Sequence, residues 1–179
     1  MKKKISIFSL LLLVTMLFGC TMGNTPKAKV ETLLNRYQSK DTSVIGELDD
    51  YLKTLTIDDT NYDDYKNVYL KQYENMKYEI KDEKIDGDNA TVVTQIDVYD
   101  YYKVEQDVNN YIAENPSEFA DKGIYNQEKA LKYKIDKLNT AKDKVQYTIT
   151  FNLTKVNDKW TIDTLSTEDL EKIHGTYAH

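Results

Sequence analysis

An apolar run from Ile5 to Phe18 follows three lysines, Lys2 to Lys4, and is broken only by Ser and Thr. It is too short for a spanning helix, which needs roughly 20 apolar residues. After it the pattern becomes periodic. Thr25-Pro26 predicts a helix start, because Thr caps and Pro suits the first helical position. Val30, Leu33, Leu34 and Tyr37 then recur at helical spacing. Asp41 or Thr42 opens a second helix carrying Ile45, Leu48, Leu52 and Leu55. A third starts at Asp58-Asp59-Thr60 and sets Tyr62, Tyr65, Tyr69 and Tyr73 on one face. The period then changes to two. Met76, Tyr78 and Ile80 alternate with lysines and Glu79, and Asp86-Gly87 predicts a hairpin turn. The return strand is expected from Ala90 to about Tyr102, with Ala90, Val92, Thr94, Ile96 and Val98 on one face.

A helix with Val104, Val108, Tyr111 and Ile112 inward follows, stopped at Asn115-Pro116. Residues 117–125 read as a loop, and a further helix runs from about Gln127 to Leu138. Val145, Tyr147, Ile149, Phe151 and Leu153 alternate with polar residues in the clearest strand of the chain. Asn157-Asp158 turns it into a last strand marked by Trp160 and Ile162. Thr167 is expected to cap a final helix ending at Gly175. Helices, then strands, then a mixed segment define an α+β chain.

The lysines, the short apolar run and the lone cysteine at its end define an export signal. Leu17-Phe18-Gly19-Cys20 resembles a lipobox, with Gly19 before the cleaved bond and Cys20 after it. The resemblance implies a diacylglyceryl group on Cys20 and a further acyl chain on its amine, enough for stable anchoring. Cys20 is the chain's one cysteine, so it has no disulfide partner within the chain. The expected organisation is therefore signal peptide 1–19, lipidated tether 20–25, a domain over 26–175 and a tail 176–179. The protein would sit lipid-anchored on the extracytoplasmic face of the cell membrane.

Loss of Lys2, Lys3 and Lys4 with the signal takes the net charge from −6 to −9. An acidic chain without a basic stripe does not suit nucleic acid or electrostatic docking to anionic lipid, so the lipid anchor must hold the membrane. The order of elements resembles the NTF2-like superfamily, and in particular the small NTF2-like lipoproteins of Gram-positive bacteria. The residues that carry it are the capped helix from Pro26, the second helix with Asp41, Leu48 and Tyr51, the hairpin from Tyr78 to Val98, and the pair from Val145 to Ile162. The resemblance implies helices packed on a curved antiparallel sheet, a cone. Residues 103–140 then stand as an inserted helical hairpin. Fold alone does not decide function.

Few chemistries have their residues in place. His174 and His179 fall in the C-terminal tail, where a solvated side chain is expected. No His, Cys and carboxylate cluster has metal-ligand spacing, so neither metal nor cofactor is expected. Glycine is too scattered for a phosphate loop. Asp82, Asp86 and Asp88 lack the ligand spacing of a calcium loop and fit a polar turn. Acidic pairs at Asp58-Asp59 and Asp63-Asp64 fit a helix N-terminus. One arrangement stands out by resemblance to NTF2-like ketosteroid isomerases, where a Tyr and an Asp act in an apolar cone. Here Asp100 and Tyr102 end a strand, and Tyr69 and Tyr73 approach from the helix. No spacing singles out a pair, and no catalytic residue is assigned. The expectation is a non-catalytic binding or accessory module of the cell envelope that uses either its cavity, with Tyr69, Tyr73, Asp100 and Tyr102 in the lining, or its acidic outer sheet. Its partner would be an envelope protein or a small apolar ligand, the latter passed to a transporter; a small isomerase or lyase is the third alternative.

Overall fold

A computed structural model describes residues 23–179 other than 56 and 58. The expected export signal over 1–19, with Gly19 and Cys20 at its end, lies outside the described residues. Among them are six α-helices and a four-stranded antiparallel sheet. Three helices come first: α1 Pro26–Gln38, α2 Thr42–Thr54 and α3 Asp59–Asn75. Thr25 caps α1 by accepting from Ala28 N–H, and Pro26 fills its first turn. Asp41 caps α2 through Ser43 N–H.

The hairpin β1 Lys77–Asp86 and β2 Asn89–Tyr99 follows, turning through Gly87 at φ 60°. Then come α4 Tyr101–Glu114, the short strands β3 Ala120–Asp121 and β4 Ile124–Tyr125, and α5 Gln127–Asn139. The strands β5 Lys144–Val156 and β6 Lys159–Ile162 and the helix α6 Thr167–His174 complete the chain. The sheet order is β1-β2-β5-β6, with β2 and β5 paired from Asn89↔Thr154 to Tyr99↔Lys144. Asn157 and Asp158 both hold positive φ, the two-residue turn whose twist matches paired strands. Ala90, Val92, Thr94, Ile96 and Val98 are buried on one face of β2, and Tyr147, Ile149, Phe151 and Leu153 on β5. Helices α1, α2, α3 and α6 bury Val30, Leu34, Leu48, Leu52, Tyr69 and Ile173 against that face.

Four details differ from the sequence reading. β2 ends at Tyr99, because Asp100 turns out of the ladder and accepts from Lys103 N–H as the cap of α4. Residues 117–125 hold the β3–β4 hairpin, closed over Gly123 at φ 82°. Ser166, one residue earlier than expected, caps α6 in a reciprocal box with Asp169. His174 is buried at the end of α6. Gly175 at φ 76° ends that helix, and its carbonyl accepts from Tyr102 N–H at 2.8 Å. Any side chain there would collide with Tyr99 O and Gln72 Nε2.

Candidate functional site

A groove of about 610 Å³ opens between α1, α2, the end of β6 and α6. Helical periodicity supplies one wall: Lys29, Thr32, Leu33, Arg36 and Tyr37 lie at spacings of three and four along α1. Residues 160–165 supply the opposite wall, and Leu48, Tyr51, Tyr73 and His174 the floor. Its size and apolar floor are those of a small-ligand or side-chain pocket.

The floor is a packed aromatic set. Tyr37 meets Tyr73 edge-on at 5.0 Å between ring centres, and Tyr51 lies 4.7 Å from the His174 ring. Tyr73 Oη and His174 Nε2 are hydrogen-bonded at 2.9 Å. Burial holds the His174 ring neutral by lowering its pKa to about 4. Burial likewise pushes the Tyr37 and Tyr73 hydroxyls far above the usual phenol range, with Glu47 adding to both shifts. The floor therefore offers uncharged rings and hydroxyls near neutral pH. Charge stands elsewhere in the lining, as Lys29, Arg36, Glu47 and Asp163, two of each sign.

The anticipated site residues do not converge. Tyr73 belongs to the groove floor. Tyr69 is fully buried, edge-on to Tyr51, Tyr65, Tyr101 and His174. Asp100 is buried apart from the groove lining, in a hollow of about 440 Å³ with residues of α4 and α5. Its carboxylate serves the α4 cap and stands 3.4 Å from His179 Nε2. Tyr102 is half-buried on α4, its ring 5.7 Å from that of His179. Tyr147 Oη donates to Tyr177 O at 2.7 Å and lies 3.2 Å from His179 Nδ1. Burial, then the charge of Asp100, pushes this hydroxyl up to about 12. Among the described residues, no three His, Cys, Asp or Glu side chains converge to hold a metal ion.

Sequence reasoning missed His174, Tyr37, Tyr51 and Trp160 as site residues. A signal for His174 was present: Leu170, Ile173 and His174 share a helix face behind a capping box, which makes the histidine an inward residue. The pairing of α1 with residues 160–165 has no local signal at all.

No family model and no curated protein matches the chain. It is similar to the crystal structure of a candidate lipoprotein, ycdA, from Bacillus subtilis subsp. subtilis str. 168, at 17% identity and a TM-score of 0.45. The match covers 96% of this chain and 55% of that one, so this chain spans about half the length of its neighbour. A likeness of that strength says nothing of ligand or activity. No described helix is long and apolar enough to cross a membrane.

Proposed function

We propose that this chain is an envelope lipoprotein whose folded part is a non-catalytic binding module, with the groove between α1, α2, β6 and α6 as its site. In this reading residues 1–19 direct export, Cys20 carries the lipid, and the fold is NTF2-like with α4, β3, β4 and α5 as the inserted segment. The carrying observation is the groove itself: an apolar aromatic floor holding a neutral histidine, with charge balanced in the lining. A floor of that kind favours contact area over chemistry, and Tyr supplies such area with little entropy loss.

The tether supports the same reading. Asn24 docks on the start of β6, its side chain bonded to Asp158 O and to Trp160 N–H. Four residues from Cys20 to Asn24 reach at most about 14 Å. A lipid on Cys20 would therefore keep the Trp160 end of the groove close to the membrane surface, and the outer end of any ligand with it.

Two measurements on one strain set test the reading. Cells fed labelled palmitate are expected to label the wild-type chain and leave Cys20→Ala unlabelled. An unlabelled wild type removes the anchor. Native mass spectrometry of the membrane-extracted chain is then compared with Leu33→Trp, which fills the groove. A mass retained by the wild type and absent from the variant supports the groove; one retained equally by both removes it.

A further inference from the structure

We infer that the groove takes an extended polypeptide segment, which adds as a further strand along the free edge of β6. This rests on the groove being the binding site proposed above and names its occupant. Among the described residues β6 is the last strand of the sheet, with β5 as its one neighbour. Asp163 N–H donates to Asn152 C=O at 2.9 Å, which fixes the alternation of that ladder. Lys159, Thr161 and Asp163 turn their backbone groups toward β5, while Trp160 and Ile162 turn theirs off the sheet.

The first position on that edge already holds an amide. Asn24 Nδ2 donates to Asp158 C=O at 2.7 Å, and Asn24 Oδ1 accepts from Trp160 N–H at 3.2 Å. One planar amide thus bridges two successive backbone groups, as the peptide unit of a neighbouring strand would. The next equivalent pair is Trp160 C=O and Ile162 N–H. No hydrogen bond reaches either among the described residues. Both residues wall the groove, with Leu33 and Tyr37 of α1 across it.

A strand laid on this pair would turn alternate side chains toward Leu48, Tyr51 and His174. Main-chain bonds would supply affinity, and the uncharged floor would select an apolar side chain. Balanced charge in the lining favours a segment without strong net charge. An acyl chain would fill the floor equally well. It would also cover two backbone groups without bonding them, a cost the polypeptide avoids.

The test uses the full chain, extracted from membranes in neutral detergent and labelled with nitrogen-15. One probe is a pool of acetylated, amidated hexapeptides alternating Thr with Val, Leu, Ile or Phe. The second is the same pool N-methylated at alternate amides, and the third is dodecanoate. Trp160, the one tryptophan of the chain, reports the groove by fluorescence, and Ile162 N–H reports the edge by hydrogen exchange. The first pool is expected to shift Trp160 emission saturably and slow exchange at Ile162. The methylated pool is expected to bind about tenfold more weakly or worse, since a methylated amide cannot donate to Trp160 C=O. Equal binding of both pools, or slowed exchange confined to the β1 edge, overturns the inference. Binding of dodecanoate without the pool also overturns it, while leaving the groove a binding site. No response to any probe removes both.

Discussion

At the scale of single residues, His174 carries the most consequence. It is buried, bonded to Tyr73 and ringed by aromatics, so the folded protein holds it neutral. Its pKa falls from 6.5 to about 4, so between those values the unfolded chain binds the extra proton. Stability from this residue is therefore complete above about pH 6.5 and is lost as the pH falls toward 4, about 3 kcal/mol in all. Urea midpoints measured from pH 7 to 4.5 are expected to fall accordingly. His174→Leu should start less stable at pH 7, with Tyr73 left without this partner, and show a flatter slope. Thr94 offers the opposite case. It is fully buried on β2, and its hydroxyl has no hydrogen-bond partner among the described residues. Thr94→Val is expected to raise the unfolding free energy by about 1 kcal/mol. A loss of stability in the same denaturation assay would show that the hydroxyl is satisfied.

At the scale of elements, one side chain joins three of them. Gln72 on α3 is fully buried. Its Oε1 accepts from Tyr99 N–H at 2.8 Å, and its Nε2 donates to Tyr99 O at 2.9 Å and to His174 O at 3.0 Å. It thereby satisfies the end of β2 and the last turn of α6 from the last turn of α3. Gln72→Leu is expected to cost about 3 kcal/mol, since several buried backbone groups lose their partner together. Hydrogen exchange at α6 should rise more than at β5. Equal loosening everywhere would mean that Gln72 contributes only packing. Most elements were legible because each carries its own period and cap, as α1 does with Thr25-Pro26 and β5 with its clean alternation. The exceptions share a cause. The end of β2 was misplaced because Tyr99, Tyr101 and Tyr102 are all strand-favouring residues, while the cap bond from Lys103 N–H to Asp100 decides for helix. The β3–β4 hairpin is too short for any period to show.

At the scale of the molecule, one apolar cluster runs from Val30 on α1 to Ile173 on α6 and takes in β2, β5 and β6, with Tyr78 and Ile80 of β1 packed against it. α5 joins it through Ile135 and Leu138, and α4 through Tyr101. Such continuity predicts a single cooperative transition. Trp160 fluorescence, reporting β6, and far-UV circular dichroism, dominated by helices, are expected to give superimposable urea curves. A separate earlier helical transition would show that α4 and α5 unfold as a unit of their own.

The amino-acid order by itself determined the α+β class, most strand faces and the inward tyrosines of α3, because burial on one face leaves a period that survives in one dimension. The expectation of export and of a lipid on Cys20 rests on the lipobox-like Leu17-Phe18-Gly19-Cys20 alone, a linear motif. The candidate site was decided only by tertiary structure. The sequence pointed to Tyr69, Tyr73, Asp100 and Tyr102 together, yet packing sends Tyr69 into the core and Asp100 to a helix cap. It sets Tyr73 beside His174, 101 residues away. Asn24 and Trp160 meet across 136 residues. A contact of that span is selected by how whole layers dock, and no local pattern encodes it.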